Sequence, residues 1–176
     1  MTRPLLLIDV DGPLNPYAAK PFRRPEGYLT HRMRPTGWEQ SWQKPLRVWL
    51  NPSHGPALRA LPFDLVWCTT WAAEANKWIA PQIGLESLPV IEWPQGAARD
   101  RTSDDPTFWK TRHVVAWARG RAFAWIDDDI DDVDRRFVAN HHDAPALLHH
   151  VSPRLGLLKP DFETLASWAA GLSPTV

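Results

Sequence analysis

Short, unbroken apolar runs alternate along the chain with segments whose apolar residues recur at helical spacing. The runs LLLID (5–9), DLVWCT (64–69), LPVIEW (88–93), AFAWID (122–127) and ALLHHV (146–151) read as strands buried on both faces. Between them lie helical candidates: HGPALRAL (54–61), AAEANKWIAPQIG (72–84), PTFWKTRHVVAWARG (106–120), DVDRRFVANH (132–141) and DFETLASWAAG (161–171). The third of these has an apolar face at Phe108, Val115 and Trp117 and stops at Gly120. Strand and helix in strict alternation predict an α/β fold, a doubly wound, parallel, five-stranded, Rossmann-like sheet with helices on both faces. In such sheets ligands bind beyond the carboxyl ends of the strands.

The segment 15–52 breaks the alternation. It is rich in proline, arginine and aromatic residues and holds two short extended candidates, GYLTHRM (27–33) and LRVWLN (46–51), so it is expected to form a β-hairpin flap. Seven Lys or Arg stand there against two Glu, while the acid is concentrated at 127–134. A length of 176 residues fits one domain, 1–176, with the flap as an insertion. The formal net charge of zero supplies no global field toward a polyanion or an anionic membrane. One cysteine, Cys68, excludes an internal disulfide framework and a multi-cysteine metal cluster, and suits a reducing compartment. The apolar start is too short for a signal peptide or a membrane span, which makes a cytoplasmic protein without a membrane partner the expectation. Oligomeric state is not legible from the pattern.

Chemistry enters at the strand exits. In an extended chain, residues two apart point to one side, so Asp9 and Asp11 share the space above the sheet edge. Two like charges about 4 Å apart repel by roughly 4 kcal/mol at an effective dielectric near 20. A divalent cation reverses that cost, and hard carboxylate and carbonyl oxygens describe a magnesium site. The plain alternative for DVDG is a turn held by Asx hydrogen bonds. A calcium loop is excluded, because Leu14 and Lys20 occupy the positions that require Gly and Glu. With Pro106 at the first helical position, Lys110 falls in a first helical turn, where the dipole disfavours a cation unless an anion partners it; a solvated lysine is the plain alternative. Thr69 and Thr70 are each able to cap the helix that follows, so one threonine is left for phosphate. Asp131 and Asp132 suit a helix N-terminus, which leaves Asp127 and Asp128 at the end of AFAWI without a structural reason.

In this order, LLLIDVDGPLN, CTT, WK and WIDD resemble the four successive motifs of the haloacid dehalogenase superfamily, and at finer grain the chain is similar to small actinobacterial-type members without a large cap domain. The resemblance implies that Asp9 is a nucleophile forming an aspartyl phosphate and that Asp11 protonates the leaving oxygen, then activates water. It further implies that Thr69 binds the phosphoryl oxygens, that Lys110 neutralises nucleophile and phosphate, and that Asp127 holds Mg2+ with Asp9 and the Asp11 carbonyl, with Asp128 in the outer shell. Carbon–halogen cleavage needs neither a general acid nor magnesium, so the presence of Asp11 favours a phosphatase acting on a phosphorylated substrate. Pro13 departs from the aliphatic residue usual after that glycine.

Two rival readings stand beside this one. A phosphoacceptor receiver module also combines carboxylates, magnesium, threonine and lysine, but there the lysine comes last and the acceptor aspartate lies on a middle strand, whereas LPVIEW has none. A nucleic-acid-binding module that keeps only the fold is suggested by Arg23, Arg24, His31, Arg32 and Arg34 near Trp38 and Trp42. Within the phosphatase reading, Thr70, Arg32, Arg34, Trp38 and Trp42 are candidate substrate contacts, and a nucleotide or a nucleic-acid end is a candidate substrate. The pairs His141–His142 and His149–His150 diverge on either element and do not suggest zinc, and Cys68 reads as a small buried hydrophobe.

Overall fold

Four aliphatic residues in a row form a stable strand only where both faces are covered, and Leu5–Ile8 (β1) is buried along its whole length in the computed structural model, which describes residues 2–20, 23–97 and 100–172. β1 pairs in parallel with Asp64–Trp67 (β4) on one side and with Phe123–Asp127 (β5) on the other, and Ala146–His150 (β6) extends the sheet beyond β5, giving the order β4-β1-β5-β6. Alternate residues of the strands face opposite layers. Leu6, Ile8, Ala124 and Ile126 pack with residues of His54–Ala60 (α1), Glu74–Trp78 (α2), Ala80–Ile83 (α3) and Lys159–Gly171 (α6). Leu5, Leu7, Phe123 and Trp125 pack with residues of Thr111–Ala118 (α4) and Asp132–His141 (α5). Each fully buried aliphatic or aromatic side chain in these layers contributes roughly 1.5–3 kcal/mol.

The expected hairpin is present. Leu29–Met33 (β2) pairs antiparallel with Leu46–Leu50 (β3), and Met33, Val48 and Leu50 join the first of the two layers. Residues 21 and 22 of the predicted flap lie outside the described residues.

Three expectations are corrected. The described sheet has four parallel strands, not five, because the run 88–93 contributes only a single parallel bridge between Val90 and Trp67. Pro89 has no N–H to donate, and both backbone groups of Leu88 are taken by the Asn76 side-chain amide, at 2.8 and 2.9 Å, so the ladder cannot extend. The helix expected from Pro106 begins only at Thr111, which places Lys110 at the N-cap position and not inside the first turn. The Phe108 N–H is instead captured by the Asp134 carboxylate at 2.7 Å, outside any helical ladder. The predicted helix 72–84 is interrupted at Ile79, just before Pro81, and ends on left-handed Gly84. Among the described residues no helix is long and apolar enough to cross a membrane.

Candidate functional site

The chain leaves β1 toward β4 and leaves β5 toward β6 on the opposite side, so the loops diverge between the tips of β1 and β5 and open a crevice there. The register pairs Ile8 with Ile126, and the Asp9 N–H donates to the Ile126 carbonyl at 3.1 Å, which sets Asp9 and Asp127 side by side at that crevice. Lys110 enters it from the other direction. Its ammonium donates to Asp9 Oδ2 at 2.7 Å, to Asp127 Oδ2 at 2.8 Å and to the Cys68 carbonyl at 3.2 Å, matching its three donors with three acceptors. Lys110 is 2% exposed and Asp127 is fully buried.

Asp9, Asp127 and Asp128 each present a carboxylate oxygen within 4.8 Å of the others. Three carboxylates thus cluster where one ammonium bonds two of them. Burial is the largest influence on two of them, pushing Asp127 up to about 8 against the pull of Lys110 and Asp128 up to about 6. An all-oxygen set of this kind fits a hard divalent cation such as Mg2+, Mn2+ or Ca2+, whose charge would hold the carboxylates ionised. Asp128 also accepts a hydrogen bond from the Tyr17 hydroxyl at 2.9 Å. Gly12 makes room for this carboxyl: it has φ of +91°, and a Cβ there would collide with the Asp128 side chain.

Asp11 is held separately. Its Oδ1 accepts from Asn15 Nδ2 at 2.7 Å and its Oδ2 from Trp71 Nε1 at 2.9 Å. Burial, reinforced by the nearby Asp9 charge, raises its carboxyl above the ordinary range despite those two donors. Asn15 in turn accepts the Trp49 N–H at 3.0 Å, which ties the Asp11 turn to the hairpin.

Two adjoining cavities meet at this turn. One, of about 330 Å3, is lined by Asp9, Asp11, Thr70, Lys110 and Asp128 among others. The other, of about 550 Å3, lies under the hairpin and shares Asp11, Tyr17 and Thr70 with the first.

The structure therefore brings Asp9, Asp11, Thr70, Lys110 and Asp128 to one cavity, with Asp127 against Lys110 below it. Thr69 does not line either cavity: it is fully buried, its hydroxyl oxygen accepts the Trp71 N–H at 3.3 Å, and its carbonyl accepts Trp93 Nε1 at 2.9 Å. Of the two threonines, Thr70 is the one at the cavities. Of the flap candidates, Trp38 lines the larger cavity, while Arg32 and Trp42 are exposed away from both. Arg34 is engaged locally, donating to the Trp38 and Gln40 carbonyls at 3.3 and 3.0 Å. His149 and His142 are occupied by Asp161 and the Arg121 carbonyl, at 2.7 and 3.0 Å.

Sequence reasoning missed the residues that hold these groups in place. Asp134, fully buried in the first turn of α5, accepts from Phe108 N and Thr111 Oγ1 at 2.7 Å, from Arg101 Nη2 at 2.9 Å and from Asp131 N at 3.0 Å. Burial opposes its charge, but Arg101 and the N–H and hydroxyl donors outweigh it and hold its carboxyl below the ordinary range. Arg101 also donates to the carbonyls of Asp129 and Pro106, at 2.6 and 2.8 Å. One clip thus joins the loop that delivers Lys110 to the loop that follows β5. In the sequence Asp134 was one more member of an acidic run, and its only signal was its place three residues after the N-cap Asp131.

No family model, no curated protein and no solved structure matches this chain.

Proposed function

We propose that this chain is a magnesium-dependent phosphomonoester hydrolase of the haloacid dehalogenase type, with a Rossmann-like sheet and the hairpin segment as a minimal cap. The observation that carries the reading is the buried Lys110 ammonium bridging Asp9 and Asp127, with Asp128 within 4.8 Å of both carboxylates. A purely structural ion pair needs one carboxylate per lysine, and a surplus of buried carboxylates is tolerated when a cation neutralises it.

Asp9 is the nucleophile. The Val10 N–H fixes its Oδ1 at 2.7 Å, and its Oδ2 faces the cavity edge beside Lys110. Attack forms the bond between the Asp9 oxygen and phosphorus and breaks the bond from phosphorus to the leaving oxygen, which takes its proton from Asp11. Burial moves the Asp11 carboxyl upward, the direction that a proton donor needs. Asp11, now ionised, then accepts a proton from water as that water attacks the aspartyl phosphate, freeing phosphate and restoring Asp9. Lys110 offsets the charge on the transferring group, and the Thr70 hydroxyl at the cavity wall donates to a phosphoryl oxygen. Asp9, Asp127 and Asp128 would hold a Mg2+ ion, which would supply further charge neutralisation to the transferring group.

The test is hydrolysis of p-nitrophenyl phosphate with and without magnesium in the parent, Asp9→Asn and Asp11→Asn proteins. Magnesium-dependent turnover that falls by about 100-fold or more in each variant is expected. Undiminished activity in either variant rejects the assigned roles.

A further inference from the structure

The larger cavity has no part in phosphoryl transfer itself, yet it opens from the same Asp11, Tyr17 and Thr70 that border the smaller one. At about 550 Å3 it lies within the roughly 300–1,000 Å3 range of small-molecule sites. Its wall carries the rings of Trp38, Trp71 and Tyr17 and the aliphatic side chains of Leu46 and Val48. Trp71 is the residue whose indole N–H holds Asp11, so whatever occupies this cavity lies beside the proton donor.

Its charges are few. Asp11, Glu74 and Arg47 are the ionisable acids and bases of opposite sign on the wall, two carboxylates against one guanidinium. The basic residues Arg23, Arg24 and Arg32 of the hairpin segment, which would attract a polyanion, do not line it. Arg47 is stacked over the Trp49 ring at 3.8 Å, and its Nη1 is buried without a hydrogen-bond partner among the described residues. Arg47 itself lines the cavity, where a guanidinium offers N–H groups to an acceptor on the occupant.

We propose that the cavity beneath the hairpin is the leaving-group subsite and that it takes an uncharged, planar ring system of nucleoside size bearing a hydrogen-bond acceptor for Arg47. The inference rests on the phosphatase reading for its reaction, but the subsite itself binds the ring whether or not phosphate is attached. Trp38, on the loop that connects β2 to β3 and 40% exposed, supplies a ring face, and Arg47 supplies the polar contact. With Asp11 protonated to donate, Glu74 and Arg47 balance and the wall offers no excess positive charge to a leaving group that carries further phosphates, so a mononucleotide fits better than the phosphorylated end of an oligonucleotide.

The experiment compares kcat/KM for a nucleoside 5′-monophosphate, glycerol 3-phosphate and a 5′-phosphorylated oligonucleotide in the full chain with Mg2+, in the parent, Trp38→Ala and Arg47→Ala. In parallel, adenosine is titrated against intrinsic tryptophan fluorescence. The expected result is a preference of about tenfold or more for the mononucleotide over both others, lost in both variants mainly through a higher KM, together with saturable quenching by adenosine that weakens in Trp38→Ala. Trp38 lies outside the buried core, so its truncation leaves a folded protein to measure. Turnover that treats glycerol phosphate or the oligonucleotide as well as the mononucleotide overturns the subsite while leaving the phosphatase reading intact. Saturable adenosine binding without turnover of any ester upholds the subsite and removes the phosphatase reading. Absence of both adenosine binding and turnover overturns the subsite as well.

Discussion

Lys110 Nζ lies 2.7 Å from Asp9 Oδ2 across 101 residues of chain, in a pocket where both side chains are almost wholly withdrawn from water. The pair is joined to a second carboxylate, Asp127 at 2.8 Å, so removal of the lysine strands two buried acids together. In the absence of a divalent cation, Lys110→Met is predicted to lower stability by about 3–5 kcal/mol at about pH 8, as expected for a buried ion pair that loses one partner. At about pH 5 the loss shrinks, because Asp127 takes up a proton well before an ordinary carboxyl does. Urea denaturation at the two pH values measures both figures; an equal loss at each would argue against mutual compensation between the lysine and the acids.

Cation binding should depend on pH in the same region. Asp128 and Asp127 ionise at about 6 and about 8 in the folded chain against an ordinary 3.8, both through burial. The unfolded chain therefore releases these protons first, and stability without a cation falls as pH rises from about 3.8 through about 8. A cation that binds only the ionised carboxylates competes with those protons, so Mg2+ affinity rises over the same window and binding releases protons. Titration calorimetry in two buffers of different ionisation enthalpy detects the release. At a cation concentration about 100 times Kd the fold should gain about 2.7 kcal/mol. Affinity that stays flat between about pH 6 and pH 8 contradicts the assignment of Asp127 and Asp128 as ligands.

Gly12→Ala should disable the site with a moderate effect on the fold. The left-handed backbone at +91° alone costs about 1 kcal/mol or more with a side chain, and the added methyl meets the Asp128 carboxyl. Weakened Mg2+ binding with a small shift in Tm is the expected pattern. Unchanged Mg2+ affinity would mean that Asp128 has no share in the cation site.

Asp134→Asn tests the clip between the two loops. An amide keeps the shape but replaces one acceptor by a donor opposite Phe108, Thr111 or Arg101, and loses the charge that Arg101 neutralises. A loss of about 3 kcal/mol or more in stability is predicted, with kcat reduced more than KM because Lys110 is misplaced rather than substrate excluded. The penalty should fade as pH drops into the range where the parent's own Asp134 protonates, below the ordinary carboxyl range. A variant with parental kcat would confine Asp134 to stability alone.

The central strands were legible because their apolar runs have no polar interruption, and β1 in LLLID is the clearest case, whereas the hairpin, with LTHRM as one strand, was legible as two short extended segments that break the strand–helix alternation. The same rule overstated LPVIEW, where two backbone groups of Leu88 are diverted to the Asn76 side chain, a contact across 12 residues that hydrophobic pattern does not encode. Of the site, the carboxylates at the tips of β1 and β5 followed from strand periodicity, since charge at the end of a buried strand has few structural uses. The helix start was misread at Pro106 because the deciding partner, Asp134, lies 26 residues away from Phe108. Arg47, Trp71 and Tyr17 had no signal at all: Arg47 acquires its place when the hairpin folds over the crevice, and Trp71 and Tyr17 acquire theirs through Asp11 and Asp128, 60 and 111 residues away.

The most direct test is to identify the phosphorylated atom. Asp11→Asn, which keeps the proposed nucleophile but removes the group proposed to activate water, is incubated with Mg2+ and p-nitrophenyl phosphate, whose phenolate leaves without a proton from Asp11, then quenched in acid and digested. Peptide mass mapping should find one phosphoryl group on Asp9 of the amino-terminal peptide, absent from an Asp9→Asn/Asp11→Asn double variant. A parent enzyme that turns over the same ester while Asp9 stays unmodified under these conditions, or is replaceable by Asn without loss, would contradict nucleophilic catalysis at the tip of β1.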